Sequence, residues 1–253
     1  MNPYIPFKNP RCVIIDYRAS DEILNYIKKL NIEPIKSVKC PELHEPVDGH
    51  PDMVIHPIDF ETFVIAPNVY DYYRNVLKSL GIKVIKGGKT LNRNHPEDIA
   101  YNVARIGRYA VHNTKHTDQK LKYYLEEAGI EFIHVNQGYT KCSIAPAGEN
   151  KALTSDFLIH EKLISYNIDC MYIDPKVVYL QGYDNGFIGG SLGLINDKIF
   201  LSTGKIFDED ISLSLRNFIK AAGYIYDEAS NQQIIDLGTL IPVIWPPLTE
   251  RSD

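Results

Sequence analysis

The residues able to do chemistry are scattered along the chain but recur in one setting, a polar turn between two short apolar runs. Cys142 lies in Gly138-Tyr139-Thr140-Lys141-Cys142-Ser143-Ile144-Ala145-Pro146, beside a lysine and at the head of an apolar stretch. A thiol in an electropositive setting can become a thiolate nucleophile, whereas a thiol among hydrocarbon is a small inert packing group. Four further turns carry acids, imidazoles or amides: Gly49-His50-Pro51-Asp52, Asn94-His95-Pro96-Glu97-Asp98, Gly182-Tyr183-Asp184-Asn185-Gly186, and Asn231-Gln232-Gln233 leading to Asp236. Histidine moves protons near neutrality, and carboxylates on opposite sides can grip a planar cation.

Each residue also has a plainer reading. An aspartate in a turn commonly caps its own backbone, so Asp52, Asp184 and Asp236 are candidates for cation binding because they share a position in a repeat. His50 is the histidine expected to exchange protons, with backbone capping as its alternative. His95, Asp98 and Asn102 of the second turn and Asn185 of the fourth are expected to line the same pocket. Cys40, His44, His50 and His56 crowd one stretch, but a single Cys-x3-His spacing lacks a second tight ligand pair, so no metal is expected. Gly189, Gly190 and Gly193 lack the lysine of a phosphate loop, and close backbone approach accounts for them better.

The elements that position these turns repeat. Leu30-Asn31-Ile32, Leu80-Gly81-Ile82, Ala128-Gly129-Ile130, Tyr166-Asn167-Ile168 and Ala222-Gly223-Tyr224 each end an amphipathic segment with a residue suited to left-handed backbone. Their intervals of 50, 48, 38 and 56 residues are too irregular for a solenoid and fit a closed ring with variable loops. Each unit reads as helix, strand, polar mouth, strand, turn, strand. The units fall at about 21–67, 69–113, 117–156, 157–204 and 210–242, and residues 12–17 supply the strand that completes the fifth. All of 1–253 is therefore expected to form one domain, with the tail from Trp245 irregular.

Composition narrows the partners. The chain is 44% hydrophobic with a formal net charge of -5, which suits a buried core and offers no basic run for nucleic acid or anionic lipid. No apolar stretch reaches the ~20 residues of a membrane span, so a cytoplasmic location is expected. The four cysteines form no Cys-x-x-Cys pair and are expected to be reduced. Homo-oligomer formation is left open.

Five helix-and-sheet units with mouths facing one axis resemble the guanidine-modifying enzyme superfamily, the penteins, which includes arginine, agmatine and peptidylarginine deiminases, dimethylarginine hydrolases and amidinotransferases. His50-Pro51-Asp52, followed by an apolar strand, an acidic turn at Asp59 and another strand, is similar to the superfamily's His-x-Asp stretch. Lys141-Cys142-Ser143-Ile144-Ala145-Pro146 resembles its nucleophile segment, and the cysteine lies two units beyond the histidine, as in those enzymes. The order along the chain differs, because here acidic units follow the cysteine. The superfamily's Glu-Gly-Gly-Asp motif has its nearest counterparts in Asp236-Leu237-Gly238-Thr239 by ring position and in Phe187-Ile188-Gly189-Gly190-Ser191 by sequence.

The resemblance implies an α/β pentein fold, a five-bladed propeller with pseudo-fivefold symmetry closed by the N-terminal strand. It implies a cofactor-independent hydrolase or amidinotransferase acting on a small guanidino or amidino compound through a covalent Cys142 thiouronium. His50 would act as acid and base, and the cationic substrate itself would lower the thiol pKa, with Lys141 a candidate helper. Arg18, Arg105 and Arg108 lie near strand ends and are candidates to hold a substrate carboxylate. The alternative is a catalytically silent ring that binds a partner, as the ribosome-associated members do.

Overall fold

A computed structural model describes residues 1–244; the tail from Trp245, expected to be irregular, lies outside the described residues. In chain order the strands and helices begin with Cys12–Ile15 (β1), Asp21–Lys29 (α1), Glu33–Lys36 (β2), Pro51–Val54 (α2), Ile55–Pro57 (β3) and Thr62–Ile65 (β4). There follow Tyr70–Ser79 (α3), Lys83–Lys86 (β5), Ala104–Ile106 (β6), Tyr109–His112 (β7), Gln119–Glu127 (α4) and Glu131–His134 (β8). Next come Thr140–Ser143 (α5), Ile144–Gly148 (β9), Lys151–Thr154 (β10), Phe157–Ser165 (α6) and Asp169–Tyr172 (β11). The last are Ile188–Ser191 (α7), Leu192–Leu194 (β12), Ile199–Ser202 (β13), Glu209–Ala221 (α8), Ile225–Glu228 (β14) and Ile241–Val243 (β15).

One local rule builds all five long helices. Each buries an i, i+4 pair: Ile23 and Ile27, Tyr73 and Leu77, Leu121 and Leu125, Ile159 and Leu163, Leu215 and Ile219. Side chains of Ser20, Asp118, Asp156 and Asp208 cap four of the N-termini. Asn31, Gly81, Gly129, Asn167 and Gly223 have φ between 57° and 90°, as the repeat requires. The amide after each bonds back to the carbonyl of the helix's last buried residue, Ile27, Leu77, Leu125, Leu163 or Ile219, and so aims the chain into the next strand.

The strands form five three-stranded sheets of one topology, in the orders β15-β1-β2, β3-β4-β5, β6-β7-β8, β9-β10-β11 and β12-β13-β14. In each, the central strand is antiparallel to its hairpin partner and parallel to the strand reached through the helix. Each hairpin thus comes from one sequence unit and the third strand from the next, so the sheets cut across the unit boundaries drawn from sequence. The two chain ends pair as expected, with Cys12 opposite Val243 and Ile14 opposite Ile241. This is an α/β propeller of five blades closed by the N-terminal strand. The hairpin strand β9 touches β6 and β12 of the neighbouring blades, while the α5 and α7 turns pack together. A Cβ on Gly189 would sit 2.4 Å from the Lys141 carbonyl, so this glycine serves close backbone approach, whereas Gly190 faces the Asp236 carboxylate and Gly193 has open space around it.

Candidate active site

His50 and Cys142 come together from units one and three. The Cys142 sulfur, a nitrogen of His50 and a carboxylate oxygen of Asp52 all lie within 4.8 Å of one another, and all three residues are buried. Asp52 lies behind the sulfur, while His50 and Cys142 border a cavity of about 150 Å³ whose lining also includes Asn185 and Asp236. Its remaining walls are Val47, Tyr139, Leu180, Tyr183 and Phe187.

Short turns set the geometry. Pro51 opens α2, and its fixed φ suits a first helical position. His50, the residue before it, is extended and makes no side-chain cap bond, so the capping alternative is not what its ring does. Both ring nitrogens are buried without a hydrogen-bond partner, with Asp16 Oδ2 3.9 Å from Nε2 and Asp236 Oδ1 3.8 Å from Nδ1. Asp16 in turn is gripped by the Arg18 guanidinium through both carboxylate oxygens.

Asn102 clamps the sulfur rather than lining the cavity. Its Nδ2 donates to Cys142 Sγ at 3.1 Å and to the Asp52 carbonyl at 3.2 Å, while its Oδ1 accepts from the Lys141 and Cys142 amides at 2.9 and 3.2 Å. The Asp52 carboxylate stands 3.3 and 3.4 Å from the same sulfur. Burial raises the Asp52 carboxyl to about 6. Burial, with the Asp52 and Asp236 charges, also pushes the Cys142 thiol well above its ordinary value. Of the two, the thiol is therefore the proton-bearing partner.

Lys141 has the charge but not the aim expected of it. Its ammonium donates to the Thr239 hydroxyl at 2.7 Å and to the Gly189 and Ile144 carbonyls at 3.0 and 3.3 Å. Burial lowers it to about 8. Thr239 holds left-handed backbone with φ 72°, and Lys141 ties the nucleophile turn to that strained residue.

The expected acids divide. Asp236 borders the cavity, yet its oxygens already accept the Phe187 and Gly238 amides at 2.9 and 3.0 Å, leaving one lone pair on each. Asp184 is exposed and does not line the cavity. Asp98 is buried behind Tyr139, whose hydroxyl donates to it. The His95 side chain is 53% exposed, 3.6 Å from Asp98, and stacks outside Tyr139 with ring centroids 5.6 Å apart. Neither residue lines the cavity. Sequence reasoning missed Asp16, Val47, Leu180 and the aromatic walls. Tyr139 and Tyr183 lie within two turns already singled out and Phe187 follows the second, which was the available signal.

The three arginines considered as carboxylate anchors are engaged elsewhere. Arg18 pairs with Asp16 and donates to the Glu45 carbonyl, Arg105 is buried against the Ile58 carbonyl, and Arg108 meets Glu131 at the surface. Of the four-residue metal reading, His50 alone belongs to a possible ligand group, with Asp52 and Cys142. An N, O, S donor set could take zinc, so metal dependence is a matter for assay. None of the helices among the described residues is long and apolar enough to cross a membrane.

Comparison with solved structures finds this architecture among enzymes of guanidino compounds. SxtG, an amidinotransferase from Microseira wollei in the saxitoxin biosynthetic pathway, superposes with a TM-score of 0.59 at 12% identity, over 96% of each chain. The inosamine-phosphate amidinotransferase StrB1 of Streptomyces griseus gives 0.56 at 10% identity, over 96% of this chain and 95% of that one. The agmatine deiminase of C. jejuni gives 0.54 at 10%, over 91% and 89%. At such identities the likeness establishes fold alone. No curated protein matches in sequence, whereas the model of the "Family of unknown function (DUF6873)" matches residues 14–241. The chain therefore belongs to that family, and its fold is that of the pentein, or guanidine-modifying enzyme, superfamily.

Proposed function

We propose that the protein breaks a C–N bond of a small guanidino or amidino compound by covalent catalysis at Cys142, passing the amidino carbon to water or to an acceptor amine. The observation that carries this reading is the meeting of Cys142, His50 and Asp52, drawn from two blades, at the edge of a small aromatic-walled cavity. A guanidinium is a poor electrophile and permanently charged. It needs a strong nucleophile, a proton for the departing nitrogen and an anion beside the carbon.

The chain's residues meet those needs in order. The cation binds with N–H groups toward the free lone pairs of Asp52 and Asp236, and its charge lowers the thiol that the two carboxylates hold up. The S–H proton passes to His50 as sulfur bonds to carbon. His50 returns that proton to the leaving nitrogen as the C–N bond breaks, giving a free amine or ammonia and a cationic thiouronium on Cys142. Water then attacks the same carbon, the C–S bond breaks, one proton returns to sulfur through His50 and the other is lost to solvent. With an amine in place of water the outcome is amidino transfer.

The test is labelling by a cationic haloacetamidine, followed by product analysis on a panel of guanidino compounds. Cys142 should be alkylated ahead of Cys12, Cys40 and Cys170, His50→Ala should slow that reaction, and a chelator should leave turnover intact. Equal labelling of all four cysteines with no product from the panel would refute an active site and leave a silent binding ring.

A further inference from the structure

If the site takes a guanidinium, as proposed for it above, its walls specify more than that cation. About 150 Å³ is the size of a cavity that admits the six carbons of benzene, so it holds the four heavy atoms of the cation and roughly two more. Apart from the Asn185 amide, those atoms would meet Val47, Leu180, Phe187 and the rings of Tyr139 and Tyr183, a surface that rewards hydrocarbon. The fixed charge bordering the space is Asp236, with Asp52 beside the sulfur and Asp98 behind Tyr139. No lysine or arginine among the described residues lines it. Arg18, which borders the neighbouring groove with Glu45 and Gln181, already spends its fork on Asp16 and the Glu45 carbonyl.

We infer that the substrate is a guanidinium or amidinium bearing a short apolar group, and that the site discriminates against compounds whose far end is a carboxylate. Taking in a carboxylate would strip its water beside buried carboxylates of the same sign and give it no lysine or arginine partner. An alkyl group of the same length loses nothing and buries its carbons. Tyr183, 49% exposed at the rim, marks where a longer tail emerges.

The matched probes are butylguanidine and 4-guanidinobutyrate, which share a chain length and differ in the terminal carboxylate. Each competes against haloacetamidine labelling of Cys142, and the reading is the concentration that halves the labelling rate. Butylguanidine should do so at a concentration at least about tenfold lower, a difference of ~1.4 kcal/mol. Tyr183→Arg, which supplies a fork to the carboxylate, should narrow that ratio to about threefold or less. Equal or better competition by the butyrate in the unaltered protein overturns this inference while leaving the guanidinium site standing. Competition by neither compound, with labelling intact, overturns the guanidinium reading itself and this inference with it.

Discussion

Replacing Asp52 by Asn separates two effects of its carboxylate on the sulfur. The carboxylate lies 3.3 Å from Cys142 Sγ, so forming the thiolate sets two negative charges against each other. At an effective dielectric near 20 their repulsion is about 5 kcal/mol. With about three quarters of it offset by the Asn102 amide and the buried Lys141 ammonium, about 1.3 kcal/mol is left, a little under tenfold in thiolate population. Asp52→Asn should therefore speed alkylation of Cys142 by neutral iodoacetamide about tenfold near neutral pH. A cationic haloacetamidine should respond the other way, because it loses a charge-assisted bond worth about 1.5–3 kcal/mol. The assay is the pair of second-order rates for the Cys142 peptide, followed by mass spectrometry in both proteins. Rates that move together, in either direction, would refute the idea that this carboxylate both suppresses the free thiol and receives the cation.

The same carboxyl gives a stability signature. Its folded value of about 6 against an ordinary 3.8 means that the fold holds the proton more tightly than the unfolded chain. Stability falls as pH rises from about 4 to 6, by up to about 3 kcal/mol, and Asp52→Asn should flatten that slope in urea titrations. Asn102→Ala strands two buried amides and frees the sulfur, so it should cost about 2–5 kcal/mol in denaturant and slow labelling by the haloacetamidine; a fast-reacting variant would dismiss the clamp. Gly190→Ala would place a Cβ 1.9 Å from Asp236 Oδ1 and should destabilise by about 1–3 kcal/mol or more, read as a drop in Tm. Asp184→Ala should leave both Tm and kcat/KM unchanged, because the residue is exposed and outside the cavity; a loss of activity would reinstate it as a substrate ligand.

Legibility followed the range of the interactions. The helix ends could be read because a left-handed residue and the two bonds closing over it involve only six or seven consecutive positions. Five such ends, with an i, i+4 buried pair before each, were sufficient for the repeat and hence for the ring. The unit boundary was less legible, since the third strand of each sheet pairs with the hairpin of the preceding unit, a choice made by packing between units. Asp184 and Asp52 illustrate the limit at the site. Both are turn aspartates in equivalent mouths, yet one is exposed and the other lies 3.3 Å from the sulfur.

The sequence by itself determined the five caps, the amphipathic helices and the polar mouths that follow them, and only a family resemblance suggested pairing a histidine in the first with a cysteine in the third. Tertiary structure alone decided that Asn102 clamps the sulfur, that Lys141 turns away to Thr239, and that Asp236 is tethered by Phe187 at the edge of an apolar cavity. It also joined two half-motifs that sequence left apart, since Gly190 in the Phe187-to-Ser191 turn leaves the space that the Asp236 carboxylate fills. The reason is physical: a cap is satisfied within its own turn, whereas a side chain at a blade junction points wherever the neighbouring backbones leave room and unpaired amides remain.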